Sequence, residues 1–167
     1  MRHLILALLV VCAPALMALD FGGDERANEI TAENVTALMN AYRADAGLPP
    51  LRIDARLTRA AESRMQDMLD GGWWNHRSPD GTSPFVWVSL ADYKYSMAAE
   101  NLANGFETAR LLVETWMESP GHRANILGAG YADCGIAIIE GSTRGPATGK
   151  SVVVMFGRRM AEVVAAK

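Results

Sequence analysis

The sequence is poor in the residues that most often carry chemistry: its 167 residues include 2 cysteines and 3 histidines. Cys12 lies in an apolar N-terminal run, so removal of that run leaves Cys134 alone and excludes an intramolecular disulfide framework. Runs of basic residues are also missing. The 16 Lys and Arg are scattered against 19 Asp and Glu, a net charge of −3, which excludes the electrostatic footprint of a nucleic-acid or anionic-membrane binder. No HExxH, CxxC or G-x-S-x-G motif occurs, which removes the commonest short signatures of a zinc protease, a thiol–metal site and a serine hydrolase.

What is present begins with "MRHLILALLVVCAPALMALD", a basic start at Arg2, an apolar run from Leu4 to Val11 and small residues at Ala13, Ala15 and Ala18. The run is too short to span a bilayer, so residues 1–18 read as a secretory signal peptide, and the protein is expected to be exported, to the periplasm or beyond, without stable membrane insertion. Val11 stands where a lipidation site would need a small residue before Cys12. After cleavage about 149 residues remain (167 less 18), with 15 basic and 19 acidic side chains and a net charge of −4. One domain with a sizeable core is expected.

Residues 19–30 are polar and lack periodicity, which predicts a flexible leader. In "TAENVTALMNAYRADAGLPP" Val35, Leu38, Met39 and Tyr42 recur at helical spacing, Thr31 suits an N-cap, and Gly47 with Pro49 ends the run. A second helix is expected after Asp54, through Leu57, Ala60, Ala61, Met65, Met68 and Leu69 to Gly71-Gly72. Pro84 suggests a short helix in "SPFVWVSLADY". A third long helix, with Asn104 or Thr108 as cap and Leu112, Val113 and Trp116 on one face, is expected to stop at Pro120-Gly121. "YADCGIAIIEG" and "KSVVVMFGR" then read as an antiparallel hairpin. Helices followed by a hairpin, with no βαβ alternation, imply an α+β layered domain.

Setting His3 aside with the signal, both remaining imidazoles sit beside an arginine in turns of Ser, Pro and Gly: His76 in "NHRSPDGTSPF" and His122 in "SPGHRANIL". Turns at element ends are where a rigid scaffold positions functional groups. Glu100, in "AAENLA", is a carboxylate among small and apolar residues, either an exposed tooth of a strand or a buried group held by a partner such as histidine. Two imidazoles and a carboxylate can form an acid–base pair or an open metal site favouring zinc, and their spacing does not choose between these. Ser78, Ser83 and Ser119 lie near the histidines without a nucleophile motif. Cys134 alternates with Ile136 and Ile138, as a buried small hydrophobe would. Trp116 belongs to a helix stripe, whereas Trp73 and Trp74 suit either a pocket wall or packing beneath the loop.

Taken in order, "NHRSPDGTSPF", "AENLA", "TWMESPGHRANILGAGYADCGIAI" and a closing strand resemble the CAP superfamily, the cysteine-rich secretory, antigen 5 and pathogenesis-related domain, in its bacterial form. The resemblance runs from about Thr31 to Arg158, so the domain is placed at residues 31–160. It implies an α-β-α sandwich with helices on both sides of a small antiparallel sheet. It also implies one central cleft in which His76, Glu100 and His122 converge, with Ser119 as a hydrogen-bonding fourth member, since the family's second glutamate is replaced here and Glu118 falls one place early. Relatives are associated with sterol or lipid binding, protease activity, and antimicrobial or signalling roles. The expectation is therefore a cleft for a small molecule, lipid or peptide, with His76, His122 and Glu100 as candidate ligands of a divalent metal, zinc by preference. The alternatives are a metal-assisted hydrolase, with the same three residues as catalytic candidates, and a non-catalytic interaction scaffold.

Overall fold

The computed structural model describes residues 25–141 and 148–161; the expected signal peptide, with Cys12 and His3, lies outside them. Thr31 caps the first long helix, α2 (Ala32–Asp45), its hydroxyl accepting from Asn34 N at 3.1 Å. Asp54 caps α3 (Ala55–Asp70) by accepting from Arg56 N at 2.9 Å. Both caps satisfy amides that a helix start leaves without partners. Arg56 in turn holds the Asp54 carboxyl near a pKa of about 2 through its side-chain hydrogen bond. The chain then forms α4 (Phe85–Leu90), α5 (Ala109–Glu118) capped by Thr108, and α6 (Pro120–Ile126).

The strands are β1 (Arg52–Ile53), β2 (Tyr95–Phe106), β3 (Asp133–Glu140) and β4 (Lys150–Arg159), in spatial order β1-β3-β4-β2. The expected hairpin is β3 with β4, paired from Asp133↔Gly157 to Glu140↔Lys150. "AAENLA" lies in β2, an edge strand antiparallel to β4 with Glu100 opposite Met155. The sheet is not wholly antiparallel, because the two residues of β1 pair with β3 in parallel.

Alternation along β4 divides the interior in two. Val152, Val154 and Phe156 face one core with Val35, Met39, Leu112 and Trp116, while Val153 and Met155 face another with Leu57, Ala60, Met65 and Met68. Helices α2, α5 and α6 therefore cover one face and α3 and α4 the other, giving the α-β-α sandwich. Cys134 is buried in the first core as a small hydrophobe, and desolvation raises its thiol to about 11. Gly135 allows α3 to lie directly on β3: a Cβ there would collide with the backbone of Leu57 and Thr58.

Three boundaries differ from the sequence reading. Within the expected leader, Glu25–Asn28 forms one helical turn, α1, and Ile30 is buried in the first core. Pro84 precedes α4 instead of opening it. The stop at Pro120-Gly121 is a junction: Ser119 takes extended dihedrals and α6 restarts with Pro120 in its first turn, where a missing N–H costs nothing. His122 consequently sits on a short helix and not in a loop.

Candidate functional site

The site forms where both helical layers reach the outer edge of β2. Glu100 shares the α3 face of the sheet with its cross-strand partner Met155. Asn101 points the opposite way, toward α6. The loop after α3 brings His76 over the edge from one side, and α6 brings His122 from the other. Their rings lie 6.4 Å apart, centroid to centroid, and His122 rests 6.2 Å from the Trp116 ring. Burial and the neighbouring His76 lower the pKa of His122, favouring the neutral ring.

Glu100 is 5% exposed and both its oxygens are occupied. His76 Nδ1 lies 2.8 Å from Oε1, and Arg64 Nε donates to Oε2 at 3.1 Å. A carboxylate paired with a guanidinium is an acceptor only, so the proton of the His76 contact lies on Nδ1, and in the neutral ring the other nitrogen, Nε2, keeps its lone pair. The His76 side chain is 53% exposed whereas that of Glu100 is 2% exposed, so the carboxylate anchors the ring from below and leaves the rest of it accessible.

Arg64 is the functional residue that reading the sequence missed. Fully buried, it also donates to Ser78 Oγ and to the carbonyls of Asn75 and His76, and its guanidinium stacks 4.7 Å over Trp73. It thereby fixes both the carboxylate and the loop carrying His76. A signal existed: Arg64 occupies the same stripe as Leu57, Ala60, Ala61, Met65 and Met68, and a charge on a buried face requires a counter-charge. Trp73 and Trp74 pack against the second core, beneath the loop.

Two asparagines that drew no attention in the sequence stitch α6 to the strand. Asn101 Nδ2 donates to the His122 carbonyl at 3.2 Å, and Asn125 Nδ2 donates to the Glu100 carbonyl at 3.2 Å and to Asn101 Oδ1 at 2.8 Å. The cleft above this edge has a volume of about 440 Å³, with His76, Arg77, Ser83, Phe85, Asn125 and Tyr131 among its walls and Ala98–Glu100 as its floor. Ser119, expected as a fourth member, makes no side-chain cap at the α5–α6 junction and does not line this cleft. Glu118 is exposed.

The geometry brings His76, Glu100 and His122 together, with one Glu100 oxygen facing His76 Nδ1 and the other Arg64 Nε. Among the described residues no group of three His, Cys, Asp or Glu side chains is placed to hold a metal ion, and Glu100 already carries two donors.

The model of the cysteine-rich secretory protein family, CAP, matches residues 36–156. Among curated proteins, the uncharacterized protein YkwD of Bacillus subtilis is 39% identical over 108 residues, 65% of this chain and 42% of that protein. The uncharacterized membrane protein YlbC of the same organism is 26% identical over 106 residues, 64% of this chain and 31% of that protein. The chain thus spans less than half the length of either relative. Among solved structures, an outer surface protein of Borrelia burgdorferi matches with a TM-score of 0.66 at 23% identity, covering 77% of this chain and 92% of that one. An extracellular SCP-domain protein of Bacillus anthracis matches with a TM-score of 0.66 at 23% identity, covering 76% and 40%. At these identities the structural likeness establishes the fold.

Proposed function

The chain belongs to the cysteine-rich secretory protein (CAP) family, and we propose that, once exported, it binds a small ligand or a peptide segment in the cleft at the β2 edge, against a histidine fixed from below by a buried carboxylate. The observation that carries this reading is the chain of contacts Arg64–Glu100–His76, which leaves Nε2 of His76 as a preoriented acceptor or base. Export is supported by the apolar N-terminus and by the likeness to an outer surface protein and an extracellular protein. Among the described residues no helix is long and apolar enough to cross a membrane.

The test is a fragment and peptide screen that follows the imidazole resonances of tag-free protein. Ligands of this cleft are expected to shift His76 and to lose affinity in Glu100→Gln, where one of the two donors to the carboxylate loses its partner. Hits that leave His76 unmoved would refute the reading.

A second reading, metal-assisted hydrolysis, draws on the same contact. A carboxylate on Nδ1 is how metal-binding histidines are commonly oriented, with Nε2 left for the ion. His76 and His122 would be the holders, with Glu100 as the orienting group and not a ligand; a zinc ion there would supply a Lewis acid. Zinc at a hundred times its dissociation constant adds roughly 2.7 kcal/mol to a folded-state site, a rise of about 5–10 °C in melting midpoint for a domain of this size. This reading requires such a rise in the wild type and its loss in both His76→Ala and His122→Ala.

A further inference from the structure

We infer that the occupant of the cleft is an extended peptide that pairs with the outer edge of β2 at Ala98 and Glu100, adding a fifth strand to the sheet. This rests on the cleft reading above and specifies its ligand.

The direction of the edge groups follows from three contacts. Asn125 donates to the Glu100 carbonyl and Trp116 Nε1 donates to the Leu102 carbonyl at 3.1 Å, both from outside the sheet, so the even-numbered residues of β2 turn their backbone groups away from β4. Gly157, the partner of Ala98, gives its carbonyl to Ala132 N on the β3 side, as expected of a pair that does not bond across β2 and β4. Side chains of α5 and α6 thus cap this edge at Leu102 and at the Glu100 carbonyl. By the same alternation the Ala98 N–H and C=O and the Glu100 N–H face away from β4, and Ala98, Ala99 and Glu100 form the floor of the cleft.

The walls suit a strand. Asn125 and Tyr131 stand on one side of the edge, and His76, Ser83 and Phe85 on the other. A second cavity of about 350 Å³, lined by Phe85, Val86, Leu90 and Tyr95, shares Ser83 and Phe85 with the first and extends the groove along β2. An added strand lies about 4.8 Å from its neighbour and sends alternate side chains to opposite walls, so five residues cover roughly 17 Å from Glu100 back to Tyr95. Charge and polarity then select the peptide. With Glu100 neutralised by Arg64, the remaining charged group in the lining is Arg77, and the far end is apolar with Leu90 71% exposed. An acidic side chain near Arg77 and an apolar one near Leu90, on the same face of the peptide, complement the groove.

The probe is a capped pentapeptide with leucine first, threonine–valine–threonine in the middle and glutamate last, titrated into the full chain while amide exchange is followed by NMR. At ten times the dissociation constant, exchange at Ala98 and Glu100 is expected to slow about tenfold. N-methylation of the peptide's edge-facing amides should abolish the effect, and Ala98→Pro, which removes an outward N–H that an edge strand can spare, should weaken binding. Arg77→Glu should lower affinity roughly 3- to 10-fold, with recovery when lysine replaces the peptide's glutamate. A His76 shift without protection at Ala98, or equal binding of the N-methylated peptide, overturns the edge pairing and leaves the cleft reading standing. No response at either residue overturns both for peptides. Protection of Ala98 already in the free protein, whether from the chain's own termini or a second copy, also overturns the inference.

Discussion

At the scale of single residues, two glutamates of the same chemistry have opposite surroundings. Glu100 is buried between His76 and Arg64, whereas Glu118 is exposed on α5. Glu100→Ala removes the buried carboxylate from the fully buried Arg64 and leaves it the 3.4 Å contact to the partly exposed Asp67, so the fold is expected to lose about 3 kcal/mol, the lower end for breaking one side of a buried ion pair. Glu118→Ala is expected to stay within about 0.5 kcal/mol. Denaturant unfolding of the two variants checks this, and equal losses would contradict the assignment. The importance of Glu100 was legible as a carboxylate in an apolar stretch. Its principal partner was not, because Arg64 lies thirty-six positions away and only the packing of α3 on the sheet brings them together.

At the scale of elements, most of what was legible was local: caps, stops and periods. Asp54 was readable as the start of α3 and performs that role, and its pairing with Arg56 gives it a pH signature. Its folded pKa of about 2 lies below the ordinary 3.8, so its contribution is complete above the unfolded value and is lost as pH falls from 3.8 toward 2. Asp54→Asn keeps a capping side chain but removes the charge. Acid titration of stability should therefore be shallower in that window than in the wild type, and an unchanged acid limb would contradict the pairing. The α5–α6 break was not legible as a break, since "SPGH" serves equally as a helix end and as a helix start. What holds α6 in place is again an arginine on an apolar stripe: Arg43, four and eight residues after Met39 and Val35, donates to the carbonyls of Pro49, Ile126, Gly128 and Tyr131. Arg43→Met leaves these carbonyls without their donor at about 1–3 kcal/mol for each that stays buried. Hydrogen exchange in residues 126–131 is expected to accelerate more than in α3, and uniform acceleration would argue against a local tie.

At the scale of the whole molecule, the sandwich is held without a disulfide among the described residues. The layers meet closely enough that Gly135 has no room for a side chain under α3. Gly135→Ala is expected to cost about 1–3 kcal/mol or more by overpacking, read as a lowered unfolding midpoint; an unchanged midpoint would show that α3 can move off the sheet. Cys134 supplies a second check on the whole fold. Its burial and its raised thiol predict no labelling by a thiol reagent at neutral pH in native protein and one label per processed chain in denaturant. Mass spectrometry of exported material should at the same time show a chain beginning after about Ala18 and no lipid on Cys12; a chain retaining Met1 would overturn the proposal of export.

The measurement that bears most directly on the site is the tautomer of His76, read from long-range nitrogen–proton correlations in tag-free, processed protein at a pH where both histidines are neutral. Contact with the Arg64-paired Glu100 carboxylate predicts a proton on Nδ1 and a bare Nε2 in the wild type, and mixing of the two tautomers in Glu100→Gln. A wild-type His76 that carries its proton on Nε2, or averages freely between the two nitrogens, would contradict the account.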